Sequence, residues 1–157
     1  RVGADDDVRA PVRQLLRQLR PPALDELSFK EALHHLLNEF AFAERGIRCH
    51  FDYQLTATPE SETVRFTLYR LLQELLNNVC KHADASEVAI ALFQQGTRLR
   101  LEVKDNGVGI SPDKIAGFGI QGMRERVSAL GGELTLESQR GTRVIVNLPT
   151  TLQQTAC

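Results

Sequence analysis

Three groups of residues in this chain have types and spacings suited to chemistry on a metal-bound polyanion. The first is Glu74, Asn78, Lys81 and His82, set in one long apolar-periodic run. On a helix, spacings of four and then three put Glu74, Asn78 and Lys81 on one face. An amide oxygen is a hard donor of the kind Mg²⁺ prefers. An ammonium meets phosphate charge, and a carboxylate accepts a proton or orients water. The same residues also read as a solvated helix face carrying a Glu–Lys pair.

The second group is Asp105-Asn106-Gly107-Val108-Gly109, directly after a strand-like run. Asp-Asn-Gly suits a hairpin turn, but the subsequent Ile-Ser-Pro-Asp-Lys is no partner strand. Glycines one residue apart let a backbone approach a ligand closely, and an Asp at a strand end can accept a hydrogen bond from an exocyclic amine. The third group is Gly117-Phe118-Gly119-Ile120-Gln121-Gly122, entering a helix. Glycines before a helix N-terminus leave amide groups open to an anion. As GxGxxG it imitates a dinucleotide fingerprint, and Glu137 lies about 20 residues on, where a ribose-binding acid belongs. The preceding Ser-Pro-Asp-Lys-Ile-Ala is not the apolar strand that fingerprint requires, and no GxxxxGK[ST] loop occurs.

The elements that must position these groups are set by periodicity. Residues 8–20 read as the end of a basic amphipathic helix that Pro21-Pro22 stops. Ser28, with Glu31 three residues on, starts a helix running to about Ala43. Gly46 ends that segment, and IRCHFDYQL reads as a strand. Val64, Leu68, Leu71, Leu72, Leu75, Leu76 and Val79 mark a long helix from Glu60 to about His82. Strands are expected from Val88 to Phe93 and from Leu99 to Val103, with a turn near Gln95-Gly96. Asp105 to Ala116 reads as loop. A helix from Gln121 to Leu130 is closed by Gly131-Gly132, and strands from Glu133 to Ser138 and from Thr142 to Leu148 finish the fold. The pattern predicts an α/β (α+β) two-layer sandwich: a mixed, largely antiparallel sheet with helices packed on one face.

Bulk composition narrows the function classes. With 42% hydrophobic and 25% charged residues, the chain can fill a core and is not disordered. A net charge of −1 gives no basic field for nucleic acid. No apolar run reaches the roughly 20 residues that span a bilayer, so no membrane contact is expected of this domain. Cys49, Cys80 and Cys157 form neither a metal motif nor a disulfide framework, and His34, His35, His50 and His82 lack zinc spacing.

ExxxN on a helix, DxGxG after a strand and GxGxxG before a helix, in that order, resemble the GHKL (Bergerat) ATPase fold of gyrase, HSP90 chaperones, MutL and histidine kinases. The phrases LRPPALDEL, QELLNNVCKHADAS, DNGVGI, GFGIQGMRERVSALGG and GTRVIVNLP are similar to the nitrate/nitrite-sensor and desaturase-sensor subfamily of bacterial histidine kinases, and within it to hexose-phosphate uptake sensors. The likeness covers about residues 13–149.

The resemblance implies ATP and Mg²⁺ as ligands and assigns roles. Glu74, Asn77, Asn78, Lys81 and His82 match the N-box. There Asn78 is the Mg²⁺ ligand, Lys81 a phosphate contact, His82 part of the nucleotide site, and Glu74 stands where gyrase-like members keep a general base. Asp105 matches the acceptor for the adenine amino group, completed by Gly107 and Gly109. Gly117, Gly119 and Gly122 match the ATP lid and the phosphate-facing helix start, and Thr142 the threonine beside adenine. The implied organisation is the end of a dimerisation and phosphoacceptor segment (1–22), the ATP-binding domain (23–150) and a flexible tail (151–157). Implied partners are the protein's own phosphoacceptor helices, a response regulator and a second copy of the intact kinase. The implied setting is the cytoplasmic part of an inner-membrane protein. Two departures stand out: the lid between Gly109 and Gly117 is very short, and the phosphoacceptor His followed by Asp or Glu is missing. His34 and His35 are poor stand-ins. A gyrase- or MutL-like ATPase and a non-catalytic regulator-docking module are the alternatives.

Overall fold

The computed structural model describes residues 20–151. The helix expected over 8–20 and most of the tail lie outside them. Ser28 opens the first long helix, its Oγ accepting from Glu31 N at 3.2 Å, a cap worth about 1 kcal/mol. A short helix α1 (Ala23–Glu26) precedes it, begun by Pro22 in helical conformation. The long helix, α2 (Phe29–Phe40), buries Phe29, Ala32, Leu33 and Leu36 at i, i+3, i+4 and i+7 spacing. It ends three residues before the expected Ala43. Ala41 adopts a left-handed φ of 49°, and the redirected chain buries Phe42, which stacks on Phe40 at 5.5 Å.

Strand β1 (Arg48–Tyr53) runs parallel to β2 (Glu87–Gln95), with Arg48 opposite Glu87. A parallel pair needs a crossover, and α3 (Glu62–Asn78) supplies it, capped by Ser61 Oγ on Val64 N. β2 turns at Gly96 into antiparallel β3 (Arg98–Asp105). Helix α4 (Ile120–Ala129) leads to β4 (Glu133–Gln139), and β5 (Gly141–Pro149) inserts between β3 and β4. The sheet order is β1-β2-β3-β5-β4, parallel only at β1–β2, which is the mixed, largely antiparallel sandwich the periodicity predicts.

Alternation sorts the two sheet faces. Val88, Ile90, Leu92, Leu99, Leu101, Val103, Val144, Val146 and Leu148 join Leu33, Leu36, Leu68, Leu72, Leu76, Met123 and Val127 of the helices in one core. The opposite face carries charge across strands: Arg143 reaches Glu102 at 3.0 Å and Glu137 at 3.3 Å.

One close approach pins the site's strands together. At Gly141, φ is 94° and an added Cβ would lie 2.1 Å from the Asp105 carbonyl oxygen. Gly141→Ala is expected to destabilise the fold by about 3 kcal/mol or more, from overpacking against backbone and a left-handed conformation. Gly117, where an added Cβ meets nothing within 4 Å, is the control, and its alanine variant should unfold near the wild-type urea midpoint. Equal midpoints for the two variants would refute the close approach.

Candidate functional site

The ends of β3 and β5 meet the end of α3 at Asp105. This carboxylate is 6% exposed. Its Oδ1 accepts from Gly107 N at 2.9 Å and Thr142 N at 3.3 Å, which leaves Oδ2 available to a ligand. Burial pushes the Asp105 carboxyl above the usual carboxylate value, and the two backbone donors pull it part of the way back. A buried acid with one oxygen fixed and one free is a preset hydrogen-bond acceptor.

The neighbouring residues of the DNGVG segment hold this geometry. Asn106 does not turn a hairpin: its Oδ1 accepts from Ser86 N and Glu87 N, and its Nδ2 donates to Ser86 Oγ. It ties the end of β3 to the start of β2. Gly109 has φ 78°, and a Cβ there would lie 2.8 Å from Ser138 Oγ, which itself accepts from Ile110 N at 2.6 Å. The loop thus packs against the β4–β5 turn. Gly107 contributes its backbone N–H to Asp105.

Helix α3 stops being α at Asn78 and continues as a π turn, Val79–Ala83. The expected continuous α-helix to His82 is therefore corrected: wider i→i+5 winding shifts the phase of Lys81 and His82. Lys81, in that turn, is exposed. His82 swings beside Phe118, ring centroids 4.4 Å apart. Asn78 Nδ2 donates to the Phe118 carbonyl at 2.9 Å, which fixes the amide and frees its oxygen. Asn77 is exposed. Glu74 pairs with Arg126 Nη2 of α4 at 2.6 Å rather than with Lys81.

The GxGxxG segment begins within a 3-10 turn, Pro112–Phe118, instead of following a strand, so the dinucleotide fingerprint is excluded on structure as well as on sequence. Gly117 lies in that turn, and Gly119, at φ 70°, is the N-cap of α4. The first intrahelical bond runs from Met123 N to Gly119 O, so the amides of Ile120, Gln121 and Gly122 have no partner within the helix.

Together these elements enclose a narrow cleft. Asp105, Thr142, Asn78 and His82 stand among apolar Leu75, Val79, Val103, Ile110, Phe118, Ile120 and Val144, with Gly109 at the edge. An apolar slot with a few fixed polar groups suits a flat heteroaromatic ligand. A shallower hollow beside it includes His82, Gly109, Gly117, Phe118 and Lys114. Glu74, Lys81, Gly107, Gly119 and Gly122 do not line the slot. Sequence reasoning missed its apolar walls and Arg126. Val144 was findable, two residues beyond Thr142 on the same strand face, whereas Phe118 and Ile110 carry no periodic signal.

A family model described as histidine kinase-, DNA gyrase B-, and HSP90-like ATPase matches residues 63–152. The chain belongs to that ATPase family. Within it, the chain is an ATP-binding catalytic domain of the histidine-kinase type. The signal transduction histidine-protein kinase/phosphatase UhpB of Salmonella typhimurium is 50% identical over 139 residues, covering 88% of this chain and 28% of UhpB. The sensor histidine kinase LiaS of Bacillus subtilis is 38% identical over 142 residues, covering 88% of this chain and 39% of LiaS. The chain thus spans well under half the length of these relatives. Among solved structures, the histidine kinase domain of the Erythrobacter litoralis blue-light activated kinase superposes with TM-score 0.67 at 21% identity, over 79% of this chain and 62% of that one. The catalytic domain of histidine kinase ThkA superposes with TM-score 0.65 at 20% identity, over 78% and 92%. At these identities the superpositions speak to the fold.

Proposed function

We propose that this domain binds Mg²⁺-ATP and passes the γ-phosphoryl group to a histidine on an adjoining helical domain of the intact kinase, for relay to a response regulator. The observation that carries this reading is the Asp105 carboxylate, buried at the end of an apolar slot with one oxygen free. Its free oxygen would accept from the adenine amino group while Val103, Val144 and Ile110 cover the faces of the ring. Thr142 would sit beside the base. The triphosphate would run past Asn78 toward residues 117–122, where Gly117, Gly119 and Gly122 let the backbone amides approach it.

The residues present fit a magnesium ion that arrives with the nucleotide. Asn78 offers one hard oxygen, its amide held by the Phe118 carbonyl, and the phosphates and water supply the remaining donors. When bound, the ion neutralises phosphate charge. The chain's own residues do the rest by positioning, the main requirement of phosphoryl transfer. Lys81 and His82 would meet phosphate oxygens. Glu74 would accept the proton of the acceptor imidazole once that group is docked.

We further infer that residues 1–22 continue the phosphoacceptor segment, 23–150 form the nucleotide domain and 151–157 a tail. The intact protein is then a membrane-anchored dimer of which this is the cytoplasmic part. No helix among the described residues is long and apolar enough to cross a membrane.

The test uses γ-labelled ATP. The intact kinase should take up label on a histidine N-terminal to this domain, and the isolated chain should take up none on His34, His35, His50 or His82. Label on one of those four would replace the acceptor assignment, and steady phosphate release without any protein label would favour a gyrase-like ATPase.

A further inference from the structure

An ion pair between helices α3 and α4 joins the one carboxylate of the N-box, Glu74, to Arg126, a cation that does not line the slot. We propose that Arg126 is a positioning residue that withholds Glu74 from water, so that bound ATP is kept for the histidine acceptor instead of being hydrolysed. This role deepens the nucleotide reading of the same site and rests on it.

Arg126 is held at two points. Its Nη2 donates to Glu74 Oε2 at 2.6 Å, and its Nε donates to the carbonyl of Gly122 at 3.3 Å. The second contact lies in the first turn of α4, where the resemblance places the phosphate-facing glycine. Glu74 stands one helical turn before Asn78. The two side chains retain 29% (Glu74) and 45% (Arg126) of their exposure, and a pair so accessible adds at most about 1 kcal/mol to stability. Its larger effect is on which way the carboxylate points and what its oxygen is free to accept. A guanidinium donor forms a charge-assisted bond that orients the carboxylate oxygen it engages.

The reaction withheld is specific. Water oxygen bonds to the γ-phosphorus, its proton passes to the Glu74 carboxylate, and the bond from phosphorus to the bridging oxygen breaks, leaving ADP and inorganic phosphate. With Oε2 engaged by Arg126, a water at the γ-phosphorus has to compete with the guanidinium for the carboxylate. An acceptor histidine arriving on the adjoining helices brings its own nucleophile, and Glu74 serves it only when the guanidinium gives way.

The test measures phosphate release from Mg²⁺-ATP by the 157-residue chain, divided by the nucleotide bound in a titration with a non-hydrolysable ATP analogue. Arg126→Gln should raise release per bound nucleotide about tenfold or more, below the roughly 10²- to 10⁴-fold of a fully positioned base because Glu74 is released but not optimally placed. Arg126→Met keeps an unbranched aliphatic stem of good helix propensity and should behave alike, which guards against a folding defect in the glutamine variant. Glu74→Gln combined with either change should return release to the wild-type level, a dependence that a mere interhelical clasp would not produce. Unchanged or slower release from variants that bind the analogue as wild type does would overturn the proposal, as would a gain that survives loss of Glu74. A wild-type chain that binds no analogue would instead remove the nucleotide reading beneath it.

Discussion

Asp105→Asn is expected to leave the fold intact and remove adenine-nucleotide binding. An asparagine at this position keeps an oxygen for Gly107 N and Thr142 N, the two donors that Asp105 Oδ1 serves. The second atom changes: it becomes an N–H donor facing the amino group it would have to accept from. The loss of a charged hydrogen bond, with two donors left opposed, is worth about 2–4 kcal/mol, or roughly 30- to 900-fold in affinity. Titration with a non-hydrolysable ATP analogue reads this directly. Wild-type affinity in the asparagine variant would remove Asp105 from the site.

The same variant isolates a pH effect whose sign is set by burial. The Asp105 carboxyl is pushed up in the folded protein, so the folded state holds this proton more tightly than the unfolded chain does. That contribution to stability is fully present below the ordinary carboxylate value and is lost as pH rises through the raised one. Relative to Asp105→Asn, the wild-type protein should therefore gain stability as the pH is lowered from neutrality through that window. Nucleotide affinity should move the other way, falling as the free oxygen is protonated. A stability difference between the two proteins that is flat with pH would contradict the burial argument.

Asn78→Ala is expected to abolish the dependence of nucleotide binding on Mg²⁺ and to lower phosphoryl transfer by the intact kinase on the order of 10²- to 10³-fold, the scale seen when one preorganised electrostatic contact is removed. Two contacts go at once. The amide oxygen that would ligate the ion disappears, and the Phe118 carbonyl loses the donor that holds the 3-10 turn against α3. The second loss alone is worth about 1 kcal/mol and should loosen the turn without separating metal-free from metal-bound nucleotide. The decisive comparison is therefore the titration with and without Mg²⁺. If the ion tightens binding to Asn78→Ala as much as to wild type, the ligand lies elsewhere.

Much of the architecture was legible because local rules and the tertiary fold agree. Leucines at 3.6 spacing mark α3, Ser28 marks the start of α2, and alternating apolar residues mark β2 and β3, each because one face must be buried. The acid at the end of β3 and the glycines before α4 were visible because strand ends and helix starts favour particular residues. Three features were not. Ala41 takes a left-handed φ with no local signal, because burying Phe42 outweighs alanine's preference for the helix. The π turn after Asn78 looks like more helix in sequence, since Val79 continues the apolar period. Glu74 was expected on one face with Asn78 and Lys81, at successive spacings of four and three, but it meets Arg126, 52 residues away.

The sequence by itself determined the class of protein and the residue types available to it: a sandwich of helices on a mixed sheet, an acid at a strand end, an amide on a helix, glycines before another. These depend on periodicity and on conformations that few residues tolerate, and both are properties of short segments. Only the tertiary structure decided how the groups are used. It placed Thr142 N and Gly107 N on the same oxygen of Asp105, left Lys81 exposed, set Phe118 in the wall of the slot and gave Glu74 a cation for a partner. Each depends on how separate elements cross, and crossing geometry comes from packing the whole core, which no segment encodes alone.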